Sequence, residues 1–206
     1  MIVRAGKNQI EMEELFAIPF IKMVVQEDTS ELISNTDFIP GMRQWYQPEK
    51  INYRVLEKYP NTKNILLKYI RSSVKMMGYS SEVDVSTSWC TKVVKGDVGH
   101  LHRHKNSWFS ALYYYGDYDE NCGKFILTNP LNDLTSFMSH VSSVNEFNRH
   151  STTWLPRKNQ LIIFPSYIQH GISEHLSDLI RYSLAINIVP VGTYGRADST
   201  YDTSWY

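Results

Sequence analysis

After Gly78 the sequence breaks into short runs in which large apolar residues alternate with smaller or polar ones, separated by turn-forming residues. Only an extended backbone sends residues i and i+2 to the same side, so this alternation requires strands that pair in sheets. The pattern predicts strands over Val83–Val94, Trp108–Tyr115, Lys124–Leu127, Leu161–Phe164 and Arg181–Val189. Gly116-Asp117, Asn129-Pro130 and Pro156 to Asn159 supply the turn chemistry between them. Several short strands at this spacing suit a sandwich, a jelly roll or a small barrel. Aromatic residues make up 13% of the chain, which favours sheet over helix bundle.

The first 80 residues read differently. Leu15 to Val25 is apolar but contains Pro19, so it is expected to be an edge strand or an entry segment. Asp28, Thr29 and Ser30 offer N-caps for a short helix through Glu31, Leu32 and Ile33. Phe38 to Tyr59, with Pro40, Gly41 and Pro48, reads as a long irregular connection. From Asn61 to Met77 the apolar positions Ile65, Leu66, Tyr69, Ile70, Val74 and Met77 recur every three or four residues, the spacing of one helical face, and Gly78 ends the run. The expected organisation is one domain over residues 1–206: helical support over 1–80, a β core over 81–190 and a polar, aromatic C-terminal tail over 191–206.

Composition narrows the function classes. The 21 basic and 21 acidic residues cancel, so no strong field advertises a nucleic acid or a membrane as partner. No apolar stretch reaches the roughly 20 residues that span a bilayer. The two cysteines, Cys90 and Cys122, lie outside any metal-binding spacing, and no N-terminal segment reads as a signal peptide, so a cytoplasmic location is expected.

The chemistry concentrates in histidines. His100, His102 and His104 alternate with other residues just before the Trp108–Tyr115 strand, so an extended backbone aims at least two imidazoles at one point. Such clustering points to a metal; the bland reading is a solvated histidine edge. His170 follows the apolar run Leu161–Phe164 and the break Pro165-Ser166, at a strand rim beside Gly171. Ten residues later, alternation puts Arg181, Ser183, Ala185 and Asn187 on one small, polar face and Tyr182, Leu184 and Ile186 on the other. An arginine with a serine two residues on can hold a carboxylate by a forked ion pair plus a hydroxyl hydrogen bond. The same arginine can equally serve a structural salt bridge to Glu174 or Asp178.

The blocks GDVGHLHRHKNSWFSALYYY, GKFILTNP, NQLIIFPSYIQHGI and RYSLAIN together resemble a family of 2-oxoglutarate/Fe(II)-dependent oxygenases found in bacteria and tailed phages, over about Leu15 to about Val189. The resemblance implies a double-stranded β-helix, a cupin-like jelly roll, with Fe(II) at the barrel mouth. It implies His102, His104 and His170 as metal ligands, and Arg181 with Ser183 as the anchor for the distal carboxylate of 2-oxoglutarate. Asn187 and one of Tyr113 to Tyr115, Tyr113 first, are expected to add hydrogen bonds. His100 has no family counterpart and is expected in a supporting position or facing solvent. The usual site has two histidines and a carboxylate, so Asp97, Asp119 or Glu120 competes with His104 for the third place. The implied reaction consumes O2 and 2-oxoglutarate, releases succinate and CO2, and hydroxylates a substrate.

The substrate is not legible. Trp89, Trp108, Trp154, Tyr113, Tyr114 and Tyr167 can line a pocket for a peptide side chain such as proline, or for a small metabolite, although most such residues serve cores. Phe38 to Tyr59 and Asn132 to Ser151 are candidate lids. A homodimer is compatible with the sequence. The competing readings are a cupin-type three-histidine dioxygenase that uses no 2-oxoglutarate and a non-catalytic jelly-roll binding or virion protein.

Overall fold

Period-two alternation becomes two facing sheets, and the β-branched and aromatic residues of the long runs explain why the central strands are those with both faces covered. A computed structural model describes residues 2–5, 8–11, 16–40, 51–131 and 140–203. In chain order the strands are β1 (Ile2–Ala5), β2 (Asn8–Glu11), β3 (Ile21–Val24), β4 (Phe38–Pro40), β5 (Glu82–Val93), β6 (Gly99–His102) and β7 (Phe109–Tyr114). They continue with β8 (Phe125–Thr128), β9 (Ser151–Trp154), β10 (Gln160–Pro165), β11 (His170–Ile172), β12 (Arg181–Val191), β13 (Thr193–Tyr194) and β14 (Tyr201–Asp202). A six-stranded sheet has the order β3-β10-β7-β12-β5-β4, and a four-stranded sheet the order β6-β11-β8-β9. The two sheets make the double-stranded β-helix.

Among the described residues one α-helix, α1 (Pro60–Met76), supports the larger sheet, rather than a set of N-terminal helices. Pro60 stands at its first turn, where a missing N–H costs nothing. Glu31 accepts the Thr62 N–H at 2.6 Å, a carboxylate at the positive helix end. The apolar stripe of α1 buries Leu66, Ile70 and Val74 against Val83, Phe109, Leu161, Ile163, Leu184 and Ile188. Each such side chain contributes about 1.5–3 kcal/mol on full burial. The other face of the sheet carries a smaller cluster of Tyr114, Phe125, Leu127, Ile162, Phe164 and Ile168.

Several local expectations need correction. Phe38–Pro40 is a parallel edge strand on β5, not irregular connection, and 41–50 lies outside the described residues. Parallel pairing unites residues some 50 positions apart, Phe38 with Cys90, which local pattern does not encode. Ile21–Val24 forms the expected edge strand, after Pro19. The short helix is a 3-10 turn, Ser30–Ser34, whose Ser30 N–H is capped by Asp28 at 2.8 Å. Within the tail, β13 and β14 pair as a hairpin in which Tyr194 packs on Tyr201. Of the candidate lid 132–151, residues 132–139 lie outside the described residues, and Ser151 begins β9.

Candidate metal centre

Strand pairing brings the histidines together. β11 lies antiparallel beside β6 with His170 opposite His102, and His104 follows two residues beyond. The strands approach closely at Gly171, where a Cβ would lie 2.6 Å from the Gly99 carbonyl oxygen, so only glycine fits. The His104 N–H donates to the Ser166 carbonyl at 3.1 Å, which ties the loop after β6 to the turn before β11. Ring centroids are 4.5 Å apart for His102–His170, 4.9 Å for His102–His104 and 5.1 Å for His104–His170. One ligand atom from each lies within 4.8 Å of the others, the separation of donors around a single ion.

The rings are oriented for this task. His102 Nδ1 donates to the His100 carbonyl at 2.8 Å and His170 Nδ1 to the Ile168 carbonyl at 2.8 Å. A carbonyl only accepts, so both Nδ1 atoms carry the proton and both Nε2 lone pairs are free, the usual arrangement of metal-ligating imidazoles. Burial, with a smaller push from His102, holds His104 down to about 4. Burial, aided by repulsion from His102 and His104 and opposed by the Ile168 carbonyl, holds His170 down to about 3. Both rings are therefore neutral at physiological pH. Two of the competing acids are engaged elsewhere, with Asp97 accepting the Val94 N–H and Asp119 accepting the Ser177 hydroxyl, and Glu120 is exposed and not part of the cluster. Among the described residues, His102, His104 and His170 are the one cluster suited to an ion. His100 is exposed and contributes its carbonyl to His102.

A cavity of about 510 Å³ opens between the sheets. The three histidines line it together with Arg181, Ser183 and Asn187, as alternation along β12 predicted. Arg181 is fully buried. Its Nε–H donates to the Gly123 carbonyl at 3.0 Å, one nitrogen donates to Ser183 Oγ at 3.1 Å, and the other donates to the Tyr114 hydroxyl at 3.2 Å. None of the ion pairs among the described residues includes it; Asp178, one expected structural partner, pairs with Lys95. A guanidinium has five N–H groups, so after these three bonds two remain for a ligand. Uncompensated buried charge is costly, and an anion in the cavity would offset it.

Tyr113 is not where the sequence placed it. Its hydroxyl meets Thr29 Oγ1 at 2.7 Å and donates to Asn159 at 3.3 Å, in the core beneath α1 and away from the cavity. Tyr114, one residue on and hence on the opposite face of β7, supports Arg181 instead. Asn187 faces the cavity, accepting from Ser110 at 3.2 Å and donating to Thr87 at 3.0 Å. Sequence reasoning missed Thr91, whose hydroxyl lies 2.6 Å from Ser183 Oγ, and Ser166, which links Ser107 and Ser110. The alternation of β5 puts Thr87, Trp89 and Thr91 on the cavity side, and that was a readable signal.

Residues 87–187, the segment that carries the three histidines, Arg181, Ser183 and Asn187, match the family model described as "Putative 2OG-Fe(II) oxygenase". This segment belongs to the 2OG-Fe(II) oxygenase family. Two solved structures agree on the fold. The chain is similar to the non-heme alpha-ketoglutarate-dependent carbocyclase SnoK of nogalamycin biosynthesis, with a TM-score of 0.58, 11% identity and coverage of 88% of this chain and 84% of that one. It is similar to HygX from Streptomyces hygroscopicus, a structure holding nickel, 2-oxoglutarate and hygromycin B, with a TM-score of 0.53, 14% identity and coverage of 84% and 83%. An oxidoreductase of the 2OG-Fe(II) oxygenase family from Burkholderia pseudomallei aligns at a TM-score of 0.44 and 15% identity, over 56% of this chain and only 49% of that one. No curated protein matches the sequence.

Proposed function

We propose that the chain is a single-domain Fe(II)- and 2-oxoglutarate-dependent oxygenase that hydroxylates a small, uncharged organic substrate or side chain. The observation that carries this reading is the pairing, in one cavity, of three converging imidazoles with a buried arginine that takes part in none of the ion pairs among the described residues. His102, His104 and His170 would hold the metal; imidazole donors suit Fe(II). Arg181 and Ser183 would bind the distal carboxylate of 2-oxoglutarate through a fork and a hydroxyl. When bound, the iron supplies activation of O2 coupled to decarboxylation of 2-oxoglutarate.

The protein's own part is to orient and to exclude water. Phe125, Phe164 and Ile172 give the cavity apolar walls. The Trp89 ring centroid lies 5.3 Å from that of His104 and 5.9 Å from that of Tyr53, giving a substrate an aromatic surface. Among the described cavity residues no side chain is acidic, which disfavours cationic substrates.

Anaerobic addition of Fe(II) and then 2-oxoglutarate tests the proposal. A visible metal-to-ligand charge-transfer band is expected, and its absence at saturating concentrations would sink the reading. The all-histidine ligand set favours one alternative, a three-histidine dioxygenase without co-substrate; it predicts O2 consumption independent of 2-oxoglutarate. No helix among the described residues is long and apolar enough to cross a membrane.

A further inference from the structure

His175 is fully buried, yet it belongs to neither the metal cluster nor the cavity wall. Both ring nitrogens are committed. Nδ1 accepts the Gly123 N–H at 3.0 Å, and Nε2 lies 2.7 Å from the Leu179 carbonyl. An amide N–H only donates and a carbonyl only accepts, so the backbone fixes one neutral tautomer, with the proton on Nε2. The residue that His175 grips is the one whose carbonyl receives Arg181 Nε–H at 3.0 Å. Gly123 is thus held on its N–H side by His175 and, through its carbonyl, holds the guanidinium.

Its position allows no slack. A Cβ at Gly123 would lie 2.7 Å from the Ser173 carbonyl oxygen and 2.8 Å from the Ile172 side chain, so the backbone of this turn is pressed against the segment after β11. That segment is fastened in turn. The His175 N–H donates to the Asp97 carbonyl at 2.9 Å, and its carbonyl accepts the Gly96 N–H at 2.7 Å. His175 therefore joins three pieces: its imidazole binds the turn before β8 and the segment before β12, and its backbone binds the turn before β6.

We propose that His175 is a positioning residue for the co-substrate anchor: acting through Gly123, it sets the direction of the Arg181 guanidinium and so the affinity for the distal carboxylate of 2-oxoglutarate. This inference rests on the reading of Arg181 given above. Geometry matters here because a forked arginine–carboxylate pair requires coplanar groups. A guanidinium freed to rotate about its Nε contact would lose that alignment.

Two substitutions separate positioning from bulk stability. His175→Asn keeps an acceptor at the Nδ1 place for the Gly123 N–H and loses the bond to Leu179. His175→Gln keeps a donor near the Nε2 place for Leu179 and loses the acceptor for Gly123. Each forfeits one buried hydrogen bond, so their thermal midpoints should fall alike. Calorimetric titration of 2-oxoglutarate into the anaerobic Fe(II)-loaded protein should show the affinity weakened about tenfold in His175→Gln and within about twofold of wild type in His175→Asn, with Fe(II) affinity unchanged in both. Arg181→Ala is the reference arm and should weaken 2-oxoglutarate more than either.

Equal 2-oxoglutarate affinities in the two His175 variants, with Arg181→Ala impaired, would overturn the proposal and leave the anchor standing. Unimpaired binding in Arg181→Ala would overturn the anchor and the proposal with it. If a variant does not fold, wild type decides. In 15N NMR of the Zn(II)-loaded protein, the Gly123 amide and the Arg181 Nε–H should both shift on addition of 2-oxoglutarate. A Gly123 amide that stays in place while Arg181 responds would overturn the coupling.

Discussion

Tyr113 and Tyr114 are neighbours in β7 with opposite duties, and the difference is measurable by deleting one oxygen. Tyr114→Phe leaves a buried guanidinium N–H without its acceptor, which costs about 1–3 kcal/mol and should weaken 2-oxoglutarate several-fold in a binding titration. Tyr113→Phe breaks the bonds to Thr29 and Asn159 instead. It should lower stability by about 1 kcal/mol in urea unfolding and leave co-substrate affinity unchanged; a co-substrate defect there would contradict the facing of β7. His104→Asp tests the third ligand. Fe(II) affinity that is retained or improved in His104→Asp but lost in His104→Ala supports a place in the ligand set, because a carboxylate restores the more usual donors; affinity unchanged in both variants would exclude it. At this scale the sequence was readable where chemistry is rare and spacing rigid: His102, His104, His170 and Arg181-x-Ser183. It was unreadable in the run Tyr113-Tyr114-Tyr115, where three identical residues leave the choice of face to register. That register comes from pairing with β10 and β12, which place Leu161 opposite Tyr113 and Ala185 opposite Leu112.

Between residues and the whole stand the joints of the elements. Ser166 is fully buried in the turn between β10 and β11. Its N–H donates to Trp108, its carbonyl takes the His104 N–H, and its hydroxyl meets Ser107 and Ser110. Ser166→Ala removes only the hydroxyl contacts, so it should cost about 1–3 kcal/mol in urea unfolding and loosen the loop that carries His104, seen as weaker Fe(II) binding. Unchanged values of both would show that the backbone bonds alone hold the joint. A second joint fastens α1 to the segment after β3. The Tyr69 hydroxyl donates to Glu27 at 2.6 Å and Lys68 pairs with it at 3.1 Å, and these, Tyr69 first, hold the Glu27 carboxyl down to about 2 from its ordinary 4.5. A lowered carboxylate favours the folded state above its ordinary range, and that contribution is lost as pH falls through the folded value. Carboxyl NMR titration should therefore place the Glu27 midpoint near 2 in wild type and higher in Tyr69→Phe, and an unmoved midpoint would reject the bond. Helix α1 itself was legible from its 3.6-residue stripe, whereas β4, β9 and β11, three or four residues each, are too short for a period to register.

At the scale of the whole molecule, the strand runs anticipated a sandwich, jelly roll or small barrel, because alternation and turn chemistry are local, and the resemblance of the motif blocks to a known family narrowed this to the double-stranded β-helix. What they did not anticipate was long-range closure: β4 laid parallel on β5, and the C-terminal hairpin of β13 and β14. The proposed metal centre has the same long-range character, since its candidate ligands come from two separate stretches, His102 with His104 and His170, joined by only a short β6–β11 pairing. An ion that bridges them binds the folded chain and finds no such geometry in the unfolded one, so binding must appear as stability. At a free Fe(II) concentration about a hundredfold above Kd the gain is about 2.7 kcal/mol. For a chain of 206 residues each kcal/mol moves the midpoint by about 2–4 °C, so anaerobic Fe(II) should raise the thermal midpoint by about 5–10 °C and a chelator should reverse it. In His170→Ala the shift should vanish, although the apo midpoint also falls with the loss of a buried ring, because the lost ring leaves two ligands on one segment and nothing to bridge. A full shift surviving in His170→Ala would move the metal away from the β6–β11 junction altogether.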